Sequence, residues 1–168
     1  MLFVFRNDRD SQIIYNPPKG DIKLTFTSKT FSQLTSRELY EILRARETVF
    51  LLEQRIVCQD LDRIDYDALH CFLCDKDGAL VAYLRAYADD AGVKLGRVLT
   101  LRRGVGLGAH LMNEALPAIK AHFKSDRLYI HSQKHAEGFY ALFGFISSSE
   151  DFMEEGVPHV LMKYKQQG

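Results

Sequence analysis

Hydrophobic residues recur at helical spacing between residues 35 and 54. Thr35 and Glu38 stand three residues apart at the start of this stretch, which is the spacing of a capping box. Apolar side chains three, four and seven residues apart lie on one face of a helix. The stretch therefore predicts an amphipathic helix, whose apolar face carries Leu39, Ile42, Leu43, Val49 and Phe50.

Three apolar runs bounded by turn residues follow this helix and predict consecutive strands. They occupy residues 69–74, 79–87 and 93–101, and the turns between them read DKDG and DDAG. Such short connections are typical of antiparallel neighbours in a meander.

The second half of the chain alternates between helices and strands. Residues 107–123 predict a helix, which Pro117 is expected to kink or end early because its ring removes a backbone hydrogen bond. The remaining predicted elements are a strand at 127–132, a short helix at 135–143 capped by Gly144, and strands around 145–148 and 157–164. Antiparallel strands followed by a β–loop–α–β unit predict an α/β domain, with a mixed, mostly antiparallel sheet flanked by helices.

Gly104, Gly106 and Gly108 separate the strand at 93–101 from the helix that follows it. The first N–H groups of a helix have no partner within it, and the helix dipole adds partial positive charge there. Glycine lets such a backbone lie against a ligand and adopt angles that other residues avoid. The joint therefore predicts an anion site, most often for phosphate, with Arg102 and Arg103 adding charge at its rim.

Two other interpretations of the joint remain open. The glycines can serve only to change the direction of the chain. The segment GVGLGA also matches the G-x-G-x-x-A pattern of dinucleotide-binding folds. That pattern needs an acid at the end of the next strand, whereas the nearby Asp126 precedes the strand at 127–132.

The segment RGVGLG (103–108) resembles the Arg-x-x-Gly-x-Gly signature of the GNAT superfamily of N-acetyltransferases, in the same strand–loop–helix context. FYALFGF (139–145) is similar to the tyrosine-bearing helix of that superfamily. Across residues 24–164 the chain looks most like the ElaA-like branch, through VFLLEQ, the Asp-rich loop, GRV, HSQKHAEGFYALFGF and EEGVPHVLM. Two features depart from the family pattern, namely a shorter link from GRV to the glycines and the proline within the helix.

The resemblance implies a GNAT (acyl-CoA N-acyltransferase) fold and acetyl-CoA as the acetyl donor, with no metal. It implies that the pantetheine arm runs along the backbone of Val98, Leu99 and Thr100 like an added strand. It also implies that the pyrophosphate meets the backbone N–H groups of Arg103, Gly104, Val105, Gly106, Leu107, Gly108 and Ala109.

Four side chains are candidates for the chemistry of acetyl transfer. The resemblance places Tyr140 beside the coenzyme sulfur, where a phenol can protonate the departing thiolate; the alternative is a packing role. Glu53 is a candidate base because helical steps from residues 49 and 50 place it inward, where desolvation raises a carboxyl pKa; alternatively it pairs with Arg46. His131 and His159 are candidate bases as well, each with a structural role as the alternative.

The Asp-rich loop, residues 59–67, either attracts a cationic substrate or is simply solvated. It does not fit an EF-hand, because the positions that need glycine and glutamate hold Asp65 and Cys71. Cys71 and Cys74 do not predict zinc, since residues three apart on a strand point to opposite faces and no second cysteine pair follows.

Composition narrows the partners and the compartment. The 22 basic and 22 acidic residues cancel, so no basic excess indicates nucleic acid. No apolar run approaches the ~20 residues of a membrane span, and three cysteines fit free thiols in a cytoplasmic protein.

We expect an acetyltransferase domain over residues 24–168, preceded by an extension or extra hairpin over residues 1–23. The oligomeric state is open, with a homodimer as one option.

The sequence therefore predicts an N-acetyltransferase that moves acetyl from acetyl-CoA to a primary amine of a small molecule or peptide. No Ser-His-Asp or Cys-His arrangement is evident, which favours direct attack in a ternary complex over an acyl-enzyme. The alternative is a coenzyme A-binding sensor or scaffold module without turnover.

Overall fold

A mixed sheet forms the framework of the computed structural model, which describes residues 23–165. The predicted extension over residues 1–23 therefore lies outside the described residues, apart from Lys23. The strands are β1 (Thr25–Thr30), β2 (Leu69–Cys74), β3 (Leu80–Asp89), β4 (Gly92–Thr100), β5 (Leu128–Gln133), β6 (Phe145–Ser147), β7 (Phe152–Glu154) and β8 (Val157–Tyr164). The α-helices are α1 (Ser36–Arg46), α2 (Leu107–Phe123) and α3 (Glu137–Ala141).

The strands run in the order β1-β2-β3-β4-β5-β8-β6, and β7 pairs with the same strand, β8, further along its length. Only β4 and β5 pair in parallel; the other described pairs are antiparallel. The predicted mixed, mostly antiparallel sheet is confirmed.

Each face of the sheet is covered by a helix. The α1 side chains of Ile42 and Ala45 pack with Phe72, Tyr83 and Leu99 on one face. On the other face, α2 contributes a second cluster with Leu111, Met112, Ala115 and Ile119. Full burial of one such aliphatic side chain contributes roughly 1.5–3 kcal/mol, so these two layers hold the helices in place.

The predicted capping box at the start of α1 is confirmed. Thr35 Oγ1 accepts a hydrogen bond from the Glu38 N–H at 3.2 Å, and Glu38 Oε2 accepts one from the Thr35 N–H at 2.8 Å. Beyond Arg46 the helix widens into a π-helix, Glu47–Glu53. A π-helix is bonded i→i+5, so each residue turns through a smaller angle and the helical faces change register.

The helix α2 does not end at Pro117, so of the two effects predicted for this residue, a kink or an early end, the early end is wrong. Pro117 takes away the N–H that would bond the Asn113 carbonyl, yet α2 continues to Phe123. Asn113 and Pro117 are both exposed. Water can therefore satisfy the released carbonyl, which lowers the cost of a proline inside a helix.

The end of the chain differs in detail from the prediction. The helix expected over 135–143 is a 3-10 turn followed by the short α3. Gly144 ends this segment with a φ of 86°, and its N–H donates to the Ala141 carbonyl at 3.2 Å. The strand β7 is additional, and it forms a tight hairpin with β8.

The strands β4 and β5 diverge after three parallel pairs, the last of which joins Leu95 and Ile130. A bulge in β4 accompanies the divergence, because Tyr83 pairs with Leu99 whereas Arg85 pairs with Gly96. Arg97 takes up the extra residue with a φ of 54°. The second half of β4 therefore presents an edge that β5 does not cover.

Candidate active site

The divergence of β4 and β5 opens a small recess in the sheet. Its volume is about 90 Å³, and it is lined by Gly96, Arg97, Val98, Ile130, His131, Gln133, Ala136 and Tyr140. Val98 is thus placed at the recess, whereas the Leu99 side chain is buried under α1 and leaves only its backbone for a ligand. Thr100 is half-buried at the end of β4, close to Gly108.

The glycine joint follows directly on this edge. Gly104 and Gly106 have φ values of 72° and 76°, in the left-handed region that favours glycine. The first bond of α2 runs from the His110 N–H to the Gly106 carbonyl at 3.1 Å. Within residues 23–165, nothing accepts a hydrogen bond from the backbone N–H groups of residues 105–109. The joint therefore has the free donors and the local conformations that an anion site requires.

Side chains around the joint turn away from the open donors. Leu107 and Ala109 are buried in the core beneath α2. A Cβ at Gly108 would lie 3.2 Å from the Phe139 ring, so this glycine permits close packing of α3 on α2. Val105 packs partly buried against the same core. The joint thus offers backbone, not side chains, to a ligand.

Two arginines stand at the rim of the joint. Arg102 forms an ion pair with Asp75 at 2.8 Å, and Arg103 forms one with Glu53. Each basic rim group is therefore paired with a neighbouring carboxylate, which moderates the positive charge there.

Tyr140 lies in the recess with its ring buried. The ring packs edge-on against Phe139 and Phe145, at centroid distances of 5.1 and 6.2 Å. Within residues 23–165 no hydrogen bond contributes to the pKa of its hydroxyl, and the hydroxyl is not among the fully buried polar atoms without a partner, so it is open to the recess. Burial raises the pKa of Tyr140 above its ordinary value, so the phenol is protonated at neutral pH.

Glu53 does not face inward, and the placement on which its role as a base rested is wrong. Its side chain is 37% exposed and is ion-paired with Arg103, not with Arg46. The reason is the π-helix: Val49 still packs into the core, but the smaller turn per residue places Glu53 on a different face from the one an α-helix would give it.

His131 lies where the two strands begin to separate. Its Nδ1 is 3.2 Å from Lys94 Nζ and 3.0 Å from Glu154 Oε2. The residue lines the recess beside Tyr140 and also a larger adjoining cavity. It is therefore the predicted histidine that can reach both compartments.

The larger cavity has a volume of about 430 Å³ and adjoins the recess at Gly96, Arg97 and His131. His159 lines it too. Because the Val157 carbonyl can only accept, His159 Nδ1 donates to it at 2.8 Å, and the ring stacks on Phe152. The hydrogen bond to Val157 occupies Nδ1 of His159, so only Nε2 can take a proton from a substrate.

The predicted acidic loop is not a free acidic surface. Asp60 pairs with Arg46 and Arg97 at 2.9 and 2.7 Å, and Asp65 pairs with Arg46 and Arg85 at 2.7 and 2.8 Å. Three arginines thus match three aspartates, the third being Asp62, which binds Arg85. We call these six residues the ion-pair cluster. It joins α1, the loop, β3 and β4 on one wall of the larger cavity.

Two carboxyls of the ion-pair cluster, those of Asp62 and Asp65, have lowered pKa values. Burial alone would raise the pKa of Asp65, but the charges and hydrogen bonds of Arg46 and Arg85 outweigh it and hold that pKa below its usual value. The same balance, with Arg85 as the main partner, lowers the pKa of Asp62. Neither carboxyl can serve as a neutral acid at physiological pH.

Cys71 and Cys74 take no part in this site. Cys71 and Cys74 pack into the clusters on opposite faces of the sheet, as their spacing predicts. Burial raises the pKa of the Cys71 thiol to about 12, which makes it a poor nucleophile. Residues 23–165 contain no group of three His, Cys, Asp or Glu side chains that could hold a metal ion. None of the helices in that range is long and apolar enough to cross a bilayer.

Three residues that line the site were not predicted from the sequence. Arg97 lines both cavities because of the bulge in β4. No local sequence pattern predicts that bulge. Lys94 and Glu154 contact His131 from β4 and β7. A polar residue within the apolar run VKLGRVLTL was a signal for Lys94, whereas Glu154 stood only in the segment EEGVPHVLM, on which part of the family resemblance rests.

Comparison with known proteins agrees with this geometry. Residues 31–166 match the family model for the acetyltransferase (GNAT) domain. A UPF0039 protein of Schizosaccharomyces pombe is 36% identical over 144 residues, which cover 83% of this chain and 96% of the relative. Protein ElaA of Escherichia coli is 36% identical over 138 residues, which cover 78% of this chain and 90% of ElaA.

Solved structures give the same result. The crystal structure of Escherichia coli ElaA has a TM-score of 0.78 at 33% identity, and covers 85% of this chain and 100% of its own. An acyl-CoA N-acyltransferase from Pseudomonas aeruginosa also has a TM-score of 0.78 at 33% identity, covering 84% of this chain and 99% of its own.

Proposed function

Because the chain belongs to the GNAT acetyltransferase family, in which acyl-CoA is the acyl donor, we propose that it transfers acetyl from acetyl-CoA to a primary amine. The observation that carries this proposal is the edge of β4 that β5 leaves uncovered, leading into a joint with free backbone donors. A pantetheine arm can pair with that edge as an added strand, while the joint accepts the pyrophosphate.

The two adjoining cavities support separate places for the donor and the acceptor. The recess holds the thioester end beside Tyr140, and the larger cavity holds the amine. Its volume of about 430 Å³ lies within the ~300–1,000 Å³ usual for small-molecule sites, and it also suits the end of a peptide. The boundary at Gly96, Arg97 and His131 is then where the amine meets the acetyl carbon.

The chemistry proposed is direct attack within a ternary complex. His131 takes a proton from the amine, and the amine nitrogen bonds to the acetyl carbon as the carbon–sulfur bond breaks. The hydrogen bond from Tyr140 stabilises the charge that develops on sulfur, and transfer of that proton completes the thiol. His159 is a second candidate base through Nε2. Glu53, exposed and paired with Arg103, is proposed to hold the rim of the joint and not to act as a base.

An amine panel tests this function. The protein is incubated with acetyl-CoA and single amines, including amino acids, polyamines and short peptides, and thiol release is followed. We expect at least one amine to give turnover that stops when acetyl-CoA is omitted. Calorimetry with acetyl-CoA is run beside it. Tight binding with no responsive amine would instead support a coenzyme A sensor, and no binding at millimolar acetyl-CoA would contradict the proposal.

The remaining expectations from the sequence are part of the same proposal. We propose a cytoplasmic enzyme whose partners are an amine substrate and acetyl-CoA, with neither nucleic acid nor membrane as a partner. A homodimer is proposed only as a state to be checked by light scattering.

A further inference from the structure

His131 is held by two groups of opposite charge that contact the same ring nitrogen. Lys94 Nζ and Glu154 Oε2 lie 3.2 and 3.0 Å from Nδ1. Among the described residues, no partner is hydrogen-bonded to Nε2 of this ring. The ring nitrogen that remains for a substrate is therefore Nε2, and its state depends on which neighbour Nδ1 binds.

The two contacts are mutually exclusive for a neutral imidazole. A carboxylate only accepts a hydrogen bond, and an ammonium group only donates one. When Nδ1 carries the proton, it donates to Glu154 and Nε2 has a lone pair. When Nδ1 accepts from Lys94, Nε2 carries the proton and has no lone pair, so it cannot take a proton from the amine. Only the first tautomer is a base poised toward the cavities.

We propose that Glu154 is a positioning residue that holds His131 in the tautomer with the proton on Nδ1. The inference rests on the proposed function, in which His131 is the base, and it adds the group that prepares that base. Glu154 lies at the end of β7, next to a tight turn in which Glu155 and Gly156 have φ values of 50° and 76°.

The β7–β8 hairpin supports the ring as well as the carboxylate. The ring of Phe152, two residues before Glu154 on the same strand, packs edge-on against the His131 ring at 5.1 Å. The hairpin therefore restrains both the plane of the imidazole and the acceptor of its proton. Lys94 has a second neighbour, the face of the Tyr129 ring at 6.0 Å, where its ammonium group is also stabilised.

Other polar groups reach this region from each neighbouring element. They are Lys94 and Arg97 from β4, Tyr129 from β5, Glu154 from β7 and His159 from β8. Of these, Glu154 is the carboxylate bonded to the ring. Removal of Glu154 thus leaves Lys94 as the described partner of Nδ1, and the tautomer should invert.

Long-range ¹H–¹⁵N NMR correlation of the imidazole tests the inference directly. Spectra are recorded on the free protein at about pH 8, above the ordinary histidine pKa of ~6.5, and His131→Gln assigns the signal. We expect the proton on Nδ1 in the wild type and in Glu154→Gln, whose amide oxygen can still accept. In Glu154→Leu we expect it on Nε2. Glu150→Gln removes a charge from an exposed residue of the preceding segment and should change nothing.

A wild-type proton on Nε2, or no change of tautomer in Glu154→Leu, would overturn the inference even if the protein acetylates amines. Conversely, absence of turnover with every amine would contradict the proposed function while the NMR result still decides the tautomer. Where an amine responds, Glu154→Leu should lower kcat/KM by roughly 100-fold, the lower range of what a general base contributes, and Glu154→Gln should restore most of it. Equal loss in both variants would contradict the role of the hydrogen bond.

Discussion

Tyr140 is a buried tyrosine whose hydroxyl has no hydrogen-bond partner among residues 23–165 and is open to the recess. Buried tyrosine hydroxyls usually find one. Here the group lines a recess next to the uncovered edge of β4. The Tyr140 hydroxyl is therefore available to donate a hydrogen bond to a ligand in the recess. It makes no hydrogen bond that stabilises the fold.

Tyr140→Phe should therefore separate activity from stability. We expect kcat with a responsive amine to fall about 10- to 100-fold, while the affinity for acetyl-CoA changes little. Because no internal hydrogen bond is lost, the free energy of unfolding should stay within about 0.5 kcal/mol of the wild type. Steady-state kinetics and urea denaturation measure both effects. Tyr66→Phe, at an exposed ring in the loop before β2, is the matched control.

Unchanged turnover in Tyr140→Phe, with an amine that the wild type acetylates, would show that the phenol is not the acid. A large loss of stability would show that the hydroxyl has a structural partner.

The joint between β4 and α2 is the element that is proposed to bind the pyrophosphate of acetyl-CoA. Gly104 has a φ of 72°, and a Cβ built on it would meet no atom within 4 Å. Gly78, in the turn between β2 and β3, has a φ of 77° and equally open surroundings. An alanine would therefore meet the same backbone strain at both positions, and only Gly104 lies beside the free N–H groups.

Gly104→Ala and Gly78→Ala form a matched pair for calorimetry. Each should lose about 1–2 kcal/mol of stability, because alanine is strained in the left-handed region. Only Gly104→Ala should also weaken acetyl-CoA binding, by roughly tenfold, which is a loss of about 1.4 kcal/mol. Equal affinities in the two variants would place the diphosphate somewhere other than the joint.

The elements themselves were predictable wherever a local pattern determines them. The box of Thr35 and Glu38 starts α1, and the predicted bounds of α2 match the structure because the glycines precede it and its apolar spacing continues to Phe123. The conversion of α1 to a π-helix was not predictable, since residues 47–53 keep an ordinary helical composition. The bulge at Arg97 depends on pairing with β3, which no single segment encodes.

The same limit explains which site residues were found. The donor joint follows from glycine spacing, which is local, and Tyr140 followed from a resemblance of motifs. The inward placement of Glu53 failed because it assumed a uniform helix. The contact between Glu154 and His131 joins positions 23 residues apart through the pairing of β7 and β5 with β8, so the sequence alone could not indicate it.

At the scale of the whole molecule, the ion-pair cluster holds α1, the Asp-rich loop, β3 and β4 together and so stabilises one wall of the larger cavity. Arg46 is fully buried, and it is held by carboxylates of Asp60 and Asp65 and by the Asp60 carbonyl. Removing one partner from a buried pair leaves an uncompensated charge, whose cost exceeds the net gain from the intact pair.

Asp65→Asn should accordingly destabilise the protein by about 3 kcal/mol at pH 7, because Arg46 and Arg85 both lose a charged partner. Asp67→Asn removes the same charge from an exposed position of the same 3-10 turn and should cost less than about 0.5 kcal/mol. Urea denaturation compares the two. Similar losses in both variants would contradict the role of the cluster.

The contribution of Asp65 should also depend on pH in a defined direction. Its pKa is lowered in the folded state, so its stabilising effect is complete above the unfolded pKa of ~3.9 and is lost as pH falls through the folded pKa. The gap in unfolding free energy between wild type and Asp65→Asn should shrink below about pH 4. Burial lowers the pKa of His70 and the charge of Asp65 opposes this effect, so Asp65→Asn should lower that pKa further. The plateau of the gap is therefore measured above about pH 7, where His70 is neutral in both proteins.

The central claim is that the glycine joint and the uncovered edge of β4 bind the acetyl donor. Backbone ¹H–¹⁵N spectra recorded during an acetyl-CoA titration test it most directly. We expect the largest shift changes at the amides of residues 98–100 and 104–109, and S-acetylpantetheine, which lacks the pyrophosphate, should shift only the first group. Saturable acetyl-CoA binding that leaves the amides of residues 104–109 unchanged, with the shifts clustered elsewhere, would contradict the account.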